Sequence, residues 1–212
     1  MPISLVLGDD HPIFLYGLEK LLRLQKDFKI VGRCTTGDDA LLAVRKHRPD
    51  ILLLDIRMAG KNAFEVIQEM QDEKLPTRVV LLTAIIHADE ALAAARLGVA
   101  GVVLKGMAPK LLVQCLRKVH AGEKWLEKNS FSQALDKALR REAAEHQLSR
   151  RLSRREIEIM RMVAGGLRNQ DVGKKLFISE GTVKIHLHHI YAKLDLHNRV
   201  ALSVYARDTG LV

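Results

Sequence analysis

Two hydrophobic periodicities divide the chain. In its first 122 residues, short β-branched or aliphatic runs occur at 3–7, 29–34, 51–55, 78–82 and 101–104. Between them, apolar residues recur every three or four positions at 12–24, 38–47, 63–73, 89–97 and 109–121, the spacing of amphipathic helices. Strands that alternate with helices predict an α/β domain: a doubly wound, five-stranded parallel sheet covered on both faces. The run ILLL at 51–54 is apolar without alternation, as a central strand buried on both sides requires. Pro12 and Pro109 fall in first helical turns, where a missing N–H is harmless. Gly98 and Gly122 fall just past helix ends, where a positive φ is needed.

The pattern then changes. Residues 123–149 are polar, charged and Ala-rich, and read as a helical linker. From 150 to 212 only helical spacing remains, which predicts a small all-α domain. Ser153 and Glu156 stand at capping-box spacing, Gly165-Gly166 stops the helix they start, and Asn169 and Ser179 are candidate caps for two more. Two short helices joined by Phe177-Ile178 suit a helix-turn-helix, whose second helix enters the major groove of DNA. In that helix, Glu180–Leu194, the residues Val183, Leu187, Ile190 and Leu194 are spaced to face a core. Thr182, Lys184, Ile185 and His188 fall largely opposite. Lys184 can read guanine or touch phosphate, Lys193 is a second cation, and His186 and His189 are candidates for phosphate contact. The histidines lack HExxH spacing and a Cys or carboxylate partner, which argues against zinc.

Composition narrows the classes. Of 212 residues, 48% are apolar and 28% charged, enough apolar surface for a real core and against wholesale disorder. The longest apolar stretches, such as 79–86, fall well short of the roughly 18 residues of a membrane span. No signal-peptide pattern opens the chain, and a cytoplasmic protein is expected. Cys34 and Cys115 lie far apart without metal spacing and read as reduced packing thiols. The net charge of +9 is uneven: 17 basic against 14 acidic residues up to 122 (+3), and 17 against 11 beyond it (+6). A basic C-terminal part points to a polyanionic partner, with double-stranded DNA the leading candidate.

Five polar residues sit at successive strand ends. Asp9 and Asp10 follow the first strand, Asp55 closes the third, Thr83 the fourth, and Lys105 follows the fifth. In the strand order 2-1-3-4-5 the first and third strands are neighbours, and ligands bind beyond the carboxyl ends at such a switch point. Three converging carboxylates repel one another unless a cation is present, and oxygen-only ligands suit Mg²⁺. An acid, a metal, a hydroxyl and an ammonium are what a phosphoryl group needs.

The segments GDDHPIF, LLLDIRM, LLTA and VLK, in this order, resemble the flavodoxin-like receiver domain of two-component response regulators over residues 1–122. The patterns GL.N.., L.IS..TVK.H and KL...NR resemble the LuxR-type helix-turn-helix over 150–212, as in response regulators of the NarL/FixJ type. The resemblance implies that a sensor histidine kinase phosphorylates Asp55. It implies that Asp9, Asp10, Asp55 and the backbone carbonyl of Arg57 hold Mg²⁺, and that Thr83 and Lys105 contact the phosphoryl oxygens. It places Thr182, Val183, Lys184 and His186 at or near DNA; by position, Ile185 and His188 read base edges. It implies a homodimer on DNA, with Val200 and Val204 of the last helix as dimer contacts.

Some positions depart from the family. Val102 stands where the family usually has an aromatic residue that turns inward when the Thr engages phosphate. Gly173 replaces a more usual Ala, at a propensity cost of roughly 1 kcal/mol. Arg57 and Ile85, two residues beyond Asp55 and Thr83, offer no base to an attacking water, so slow autodephosphorylation is expected. Beyond Mg²⁺-dependent self-phosphorylation no enzymatic activity is expected. A phosphatase acting on an external substrate would lack a separate general acid and would leave the helical domain unexplained. A DNA-binding protein whose receiver no longer switches is a third reading, suggested by Val102.

Overall fold

The computed structural model describes residues 2–126 and 130–209, which form two compact units, Met1–Leu135 and Asp136–Val212. The first contains β1 (Ile3–Gly8), α1 (Pro12–Arg23), β2 (Phe28–Cys34), α2 (Gly37–His47), β3 (Ile51–Asp55), α3 (Ala63–Asp72), β4 (Arg78–Thr83), α4 (Ala88–Arg96), β5 (Gly101–Leu104), α5 (Pro109–His120) and β6 (Trp125–Leu126). All strand pairs are parallel, in the order β2-β1-β3-β4-β5-β6. The doubly wound sheet is as expected. Its inner strands serve two cores, because successive side chains point to opposite faces. Leu52 and Leu54 join the layer under α2, α3 and α4, while Ile51 and Leu53 join the layer under α1 and α5.

The sheet has six strands, not the expected five. β6 is two residues long, too short to show a periodicity, and forms because the edge of β5 is open to it: Gly101 pairs with Trp125 and Val102 with Leu126. The start of α6 also belongs to this unit. Phe131, in the first turn of α6 (Ser130–Arg151), is fully buried in the same core layer as Val102 and as Ala91 and Ala94 of α4, with Ala134 and Leu135 packed against that layer. Residues 123–149, expected as a helical linker after a domain ending at 122, therefore supply a strand and a core aromatic to the first unit. Cys34 and Cys115 are buried in opposite core layers, and burial raises their thiols to about 11 and about 12, so both stay protonated.

The boundary between the units falls inside α6. The second unit continues with α7 (Arg154–Ala164), α8 (Asn169–Leu176), α9 (Glu180–Leu194) and α10 (Arg199–Asp208) around one apolar core. The capping box is present: Ser153 Oγ accepts from the Glu156 N–H, and a Glu156 carboxylate oxygen accepts from the Ser153 N–H. Ser179 caps α9. Asn169 does not cap α8; it is the first helical residue, behind Arg168, and its side chain accepts instead from Arg199. Arg199 also donates to the carbonyls of Val163 and Leu167, at 3.0 and 2.6 Å, closing the end of α7.

Gly173 has a packing role that propensity alone does not show. A Cβ built on it would lie 2.7 Å from the carbonyl oxygen of Ile178, a backbone atom in the turn between α8 and α9. Gly173→Ala gains helix propensity but must push the turn away. A net loss of about 1–2 kcal/mol is expected. Urea denaturation of the full chain measures it, and an unchanged or higher midpoint would contradict this account of the crossing.

No described helix is long and apolar enough to cross a membrane.

Candidate functional site

Gly8 of β1 is in register with Leu54 of β3, so the residues that follow them, Asp9 and Asp55, emerge side by side at the carboxyl edge of the sheet. Both are buried. Lys105, just beyond β5, reaches across: its Nζ lies 2.7 Å from Asp55 Oδ2 and 2.8 Å from Asp9 Oδ2, with the Phe14 ring 4.8 Å away. Burial alone would lower the pKa of this ammonium. The hydrogen bond to Asp55 and the negative charges of Asp55 and Asp9 outweigh that and hold it above its ordinary value.

The cluster contains one residue that the sequence reading missed. His11 Nδ1 is 2.7 Å from Asp10 Oδ1 and 3.1 Å from Asp9 Oδ1, and the His11 N–H donates to Asp9 Oδ1. Its position directly after an Asp-Asp pair was the available signal. Ligand atoms of Asp9, Asp10, His11 and Asp55 all lie within 4.8 Å of one another. Asp9 Oδ2 and Asp10 Oδ1 are buried and lack a hydrogen bond of regular geometry; the side-chain nitrogens nearest them are Lys105 Nζ and His11 Nδ1. Under-satisfied carboxylate oxygens converging on one point fit a hard divalent cation.

The loop after Asp55, which carries the Arg57 carbonyl, is held close to the start of α2. Thr36 bridges to Ala59, and a Cβ at Gly37 would fall 1.9 Å from the Lys61 carbonyl oxygen, so only glycine permits this approach. The Arg57 side chain turns to Glu90 of α4, 3.2 Å away, and Ile85 is 64% exposed. Thr83 is buried, but its hydroxyl donates to the Ile85 carbonyl at 2.6 Å rather than to Asp55.

In the second unit, the expected DNA face is only partly as read from sequence. Lys184, Ile185 and His188 are exposed on α9, and Lys184 pairs with Glu180 at 2.8 Å. Thr182 is half-buried, with its hydroxyl 2.8 Å from Ser179 Oγ. Val183 is buried in the core with Leu187, Ile190 and Leu194, so it supports the helix from behind and lies off its exposed face. His186 is half-buried, and its Nδ1 is enclosed without a hydrogen-bond partner. Lys193 is engaged within the unit: its Nζ sits 2.8 Å from both carboxylate oxygens of the buried Glu156. It neutralises an acid that the capping box draws inside. Val200 and Val204 are 72% and 49% exposed on α10, opposite the buried Leu202 and Ala206.

Known proteins carry the same two parts in the same order. Residues 5–117 match the response regulator receiver domain family, and residues 150–206 match the bacterial regulatory proteins of the luxR family. The nitrate/nitrite response regulator NarL of Escherichia coli K12 is 31% identical over 209 residues, covering 98% of this chain and 96% of NarL. Among solved structures, RcsB from Salmonella enterica serovar Typhimurium, bound to a promoter in the presence of the phosphomimetic BeF3−, is 26% identical with a TM-score of 0.64 over the whole of both chains. The signal receiver domain of a response regulator NarL from Mycobacterium tuberculosis is 33% identical, with a TM-score of 0.56, over 57% of this chain and 98% of that domain.

The Glu156–Lys193 pair makes a pH prediction. Burial raises the Glu156 pKa, but hydrogen bonds from Lys193 and Ser153 outweigh it and hold the group below its ordinary 4.5. A lowered carboxylate contributes stability that is present above pH 4.5 and is lost as pH falls through the folded-state value. Glu156→Gln is expected to destabilise the protein by about 1–2 kcal/mol at neutral pH, since Lys193 is itself half exposed. It should also flatten the acid limb of melting temperature against pH, read by circular dichroism. Parallel acid limbs for the two proteins would refute the assignment.

Proposed function

The chain belongs to the two-component response regulators of the NarL type, a receiver domain followed by a luxR-family DNA-binding domain, and from that premise we propose that it is a transcription factor switched by phosphorylation of Asp55. The observation that carries the reading is the buried Asp55 carboxylate, with one oxygen bound by Lys105 and two further acids converging beside it. A sensor histidine kinase supplies the phosphoryl group. Its N–P bond breaks, an O–P bond forms at Asp55, and the product is an acyl phosphate. Small phosphodonors serve the same step. Lys105, already poised between Asp55 and Asp9, pairs with a phosphoryl oxygen. Thr83 serves as the second contact by turning its hydroxyl away from Ile85.

The unsatisfied oxygens of Asp9 and Asp10 support Mg²⁺ held by Asp9, Asp10, Asp55 and the Arg57 carbonyl. The ion supplies neutralising charge for the entering phosphoryl group. Arg57, held by Glu90, and Ile85 both turn to solvent, so neither side chain flanks a water path to Asp55 in this arrangement, and the expectation of slow autodephosphorylation draws no support from them.

On the DNA side, α9 enters the major groove. Lys184, Ile185 and His188 meet base edges or phosphates, and Thr182 and His186 lie at the margin. The exposed Val200 and Val204 pair two copies across a two-fold axis, so that a homodimer reads two half-sites. A kinase-coupled regulator of this kind works in the cytoplasm.

Two measurements test this reading. Full-length protein is used to select duplexes from random-sequence DNA with and without a beryllofluoride mimic. The mimic is expected to raise occupancy of the selected duplex, and Asp55→Ala to abolish that gain; equal occupancy in all cases overturns the switch. Lys184→Ala is expected to weaken binding and to reduce the slope of log affinity against log salt by about one for a lost phosphate contact. An unchanged slope would remove Lys184 from the backbone contacts.

A further inference from the structure

We infer that Phe177 is a DNA-contacting residue: a rigidly presented aromatic wedge that sets how α9 seats on the duplex through apolar contact with thymine methyls or deoxyribose. The inference rests on the reading that α9 is the DNA-binding helix. Phe177 is 96% exposed, the most exposed large hydrophobic side chain among the described residues. It also holds a left-handed backbone conformation, at φ 54° and ψ 42°, which is a genuine outlier for a bulky residue. The other described non-glycine residues with positive φ are Arg48, Lys74 and Asp195, all polar groups that belong in water. Phe177 alone among them combines the strained backbone with an apolar ring that nothing in its own unit covers.

The turn is built to keep it there. The Phe177 N–H donates to the Gly173 and Lys174 carbonyls, and the Ile178 N–H donates to Gly173 at 3.0 Å. Arg155 donates to the Leu176 carbonyl at 2.7 Å. The missing Cβ of Gly173 lets the turn pass within contact of α8. A strained residue held by this many bonds is over-determined, and such strain persists at places where presentation of the side chain matters.

Charge selects the occupant. The ring follows Lys174 and Lys175, both exposed in the last turn of α8, and precedes the Ser179 and Thr182 hydroxyls and Lys184 at the start of α9. An exposed ring bracketed by cations and by a helix N-terminus matches a surface that is anionic with apolar edges between the charges, which is duplex DNA.

The test uses full-length protein and a duplex that it selects from random-sequence DNA. Asn tolerates the left-handed region, so Phe177→Asn relieves strain while removing the ring. It is expected to melt no lower than wild type and to bind the duplex about three- to tenfold more weakly, with an unchanged salt slope because no charge is lost. Phe177→Tyr should restore affinity. Unchanged affinity in Phe177→Asn overturns the inference, and so does a lower melting temperature, which would make the ring a packing residue. Normal DNA binding with lost transcriptional output would assign the ring to a protein partner and overturn it equally. Lys184→Ala, assayed in parallel, separates the two readings. If Lys184→Ala weakens binding and Phe177→Asn does not, only the role of Phe177 fails. If neither does, the role of α9 fails as well.

Discussion

The receiver depends on one electrostatic balance. Parallel packing of β1 against β3 forces Asp9 and Asp55 together at a buried sheet edge, where two unpaired carboxylates would be strongly destabilising. Lys105, delivered by β5, bridges both at ion-pair distance and removes most of that cost. It leaves Asp9 Oδ2 and Asp10 Oδ1 short of hydrogen bonds, so the site is compensated but not saturated. That partial compensation gives a structural element its chemistry: a fully satisfied cluster would have no use for a metal or a phosphoryl group.

A second balance shapes the helical unit. Glu156 closes the N-terminus of α7 and is drawn inside by doing so, and Lys193 from α9 neutralises it. α7 and α9 are thereby tied through one ion pair. Val183, Leu187, Ile190 and Leu194 anchor the same helix to the core. α9 is thus held by both apolar and ionic contacts from behind, with Lys184, Ile185 and His188 exposed on its outer side.

Phe131 ties the start of α6 to the first unit. A sheet edge at β5 and a core layer beneath α4 both needed covering, and residues beyond 122 supply the cover with β6 and the first turn of α6. Where the resemblance leads one to expect a large side chain at position 102, Val102 is a small one, and Phe131 of α6 is a fully buried aromatic in the same layer. The start of α6 is a packed part of the first unit.

Element type and order were legible in the sequence because each depends on local periodicity: ILLL at 51–54 must be a doubly buried strand, and Ser153 with Glu156 must start a helix. The acids at Asp9, Asp10 and Asp55 were legible for the same reason, since strand ends can be counted. Tertiary structure alone decided the pairings. Two residues at 125–126 carry no period, yet an open edge recruits them as β6. Nothing near Lys193 in sequence announces Glu156, thirty-seven positions away, and nothing near Asn169 announces Arg199. Polar side chains choose partners by proximity in the fold, and proximity across long separations is not written in any local pattern.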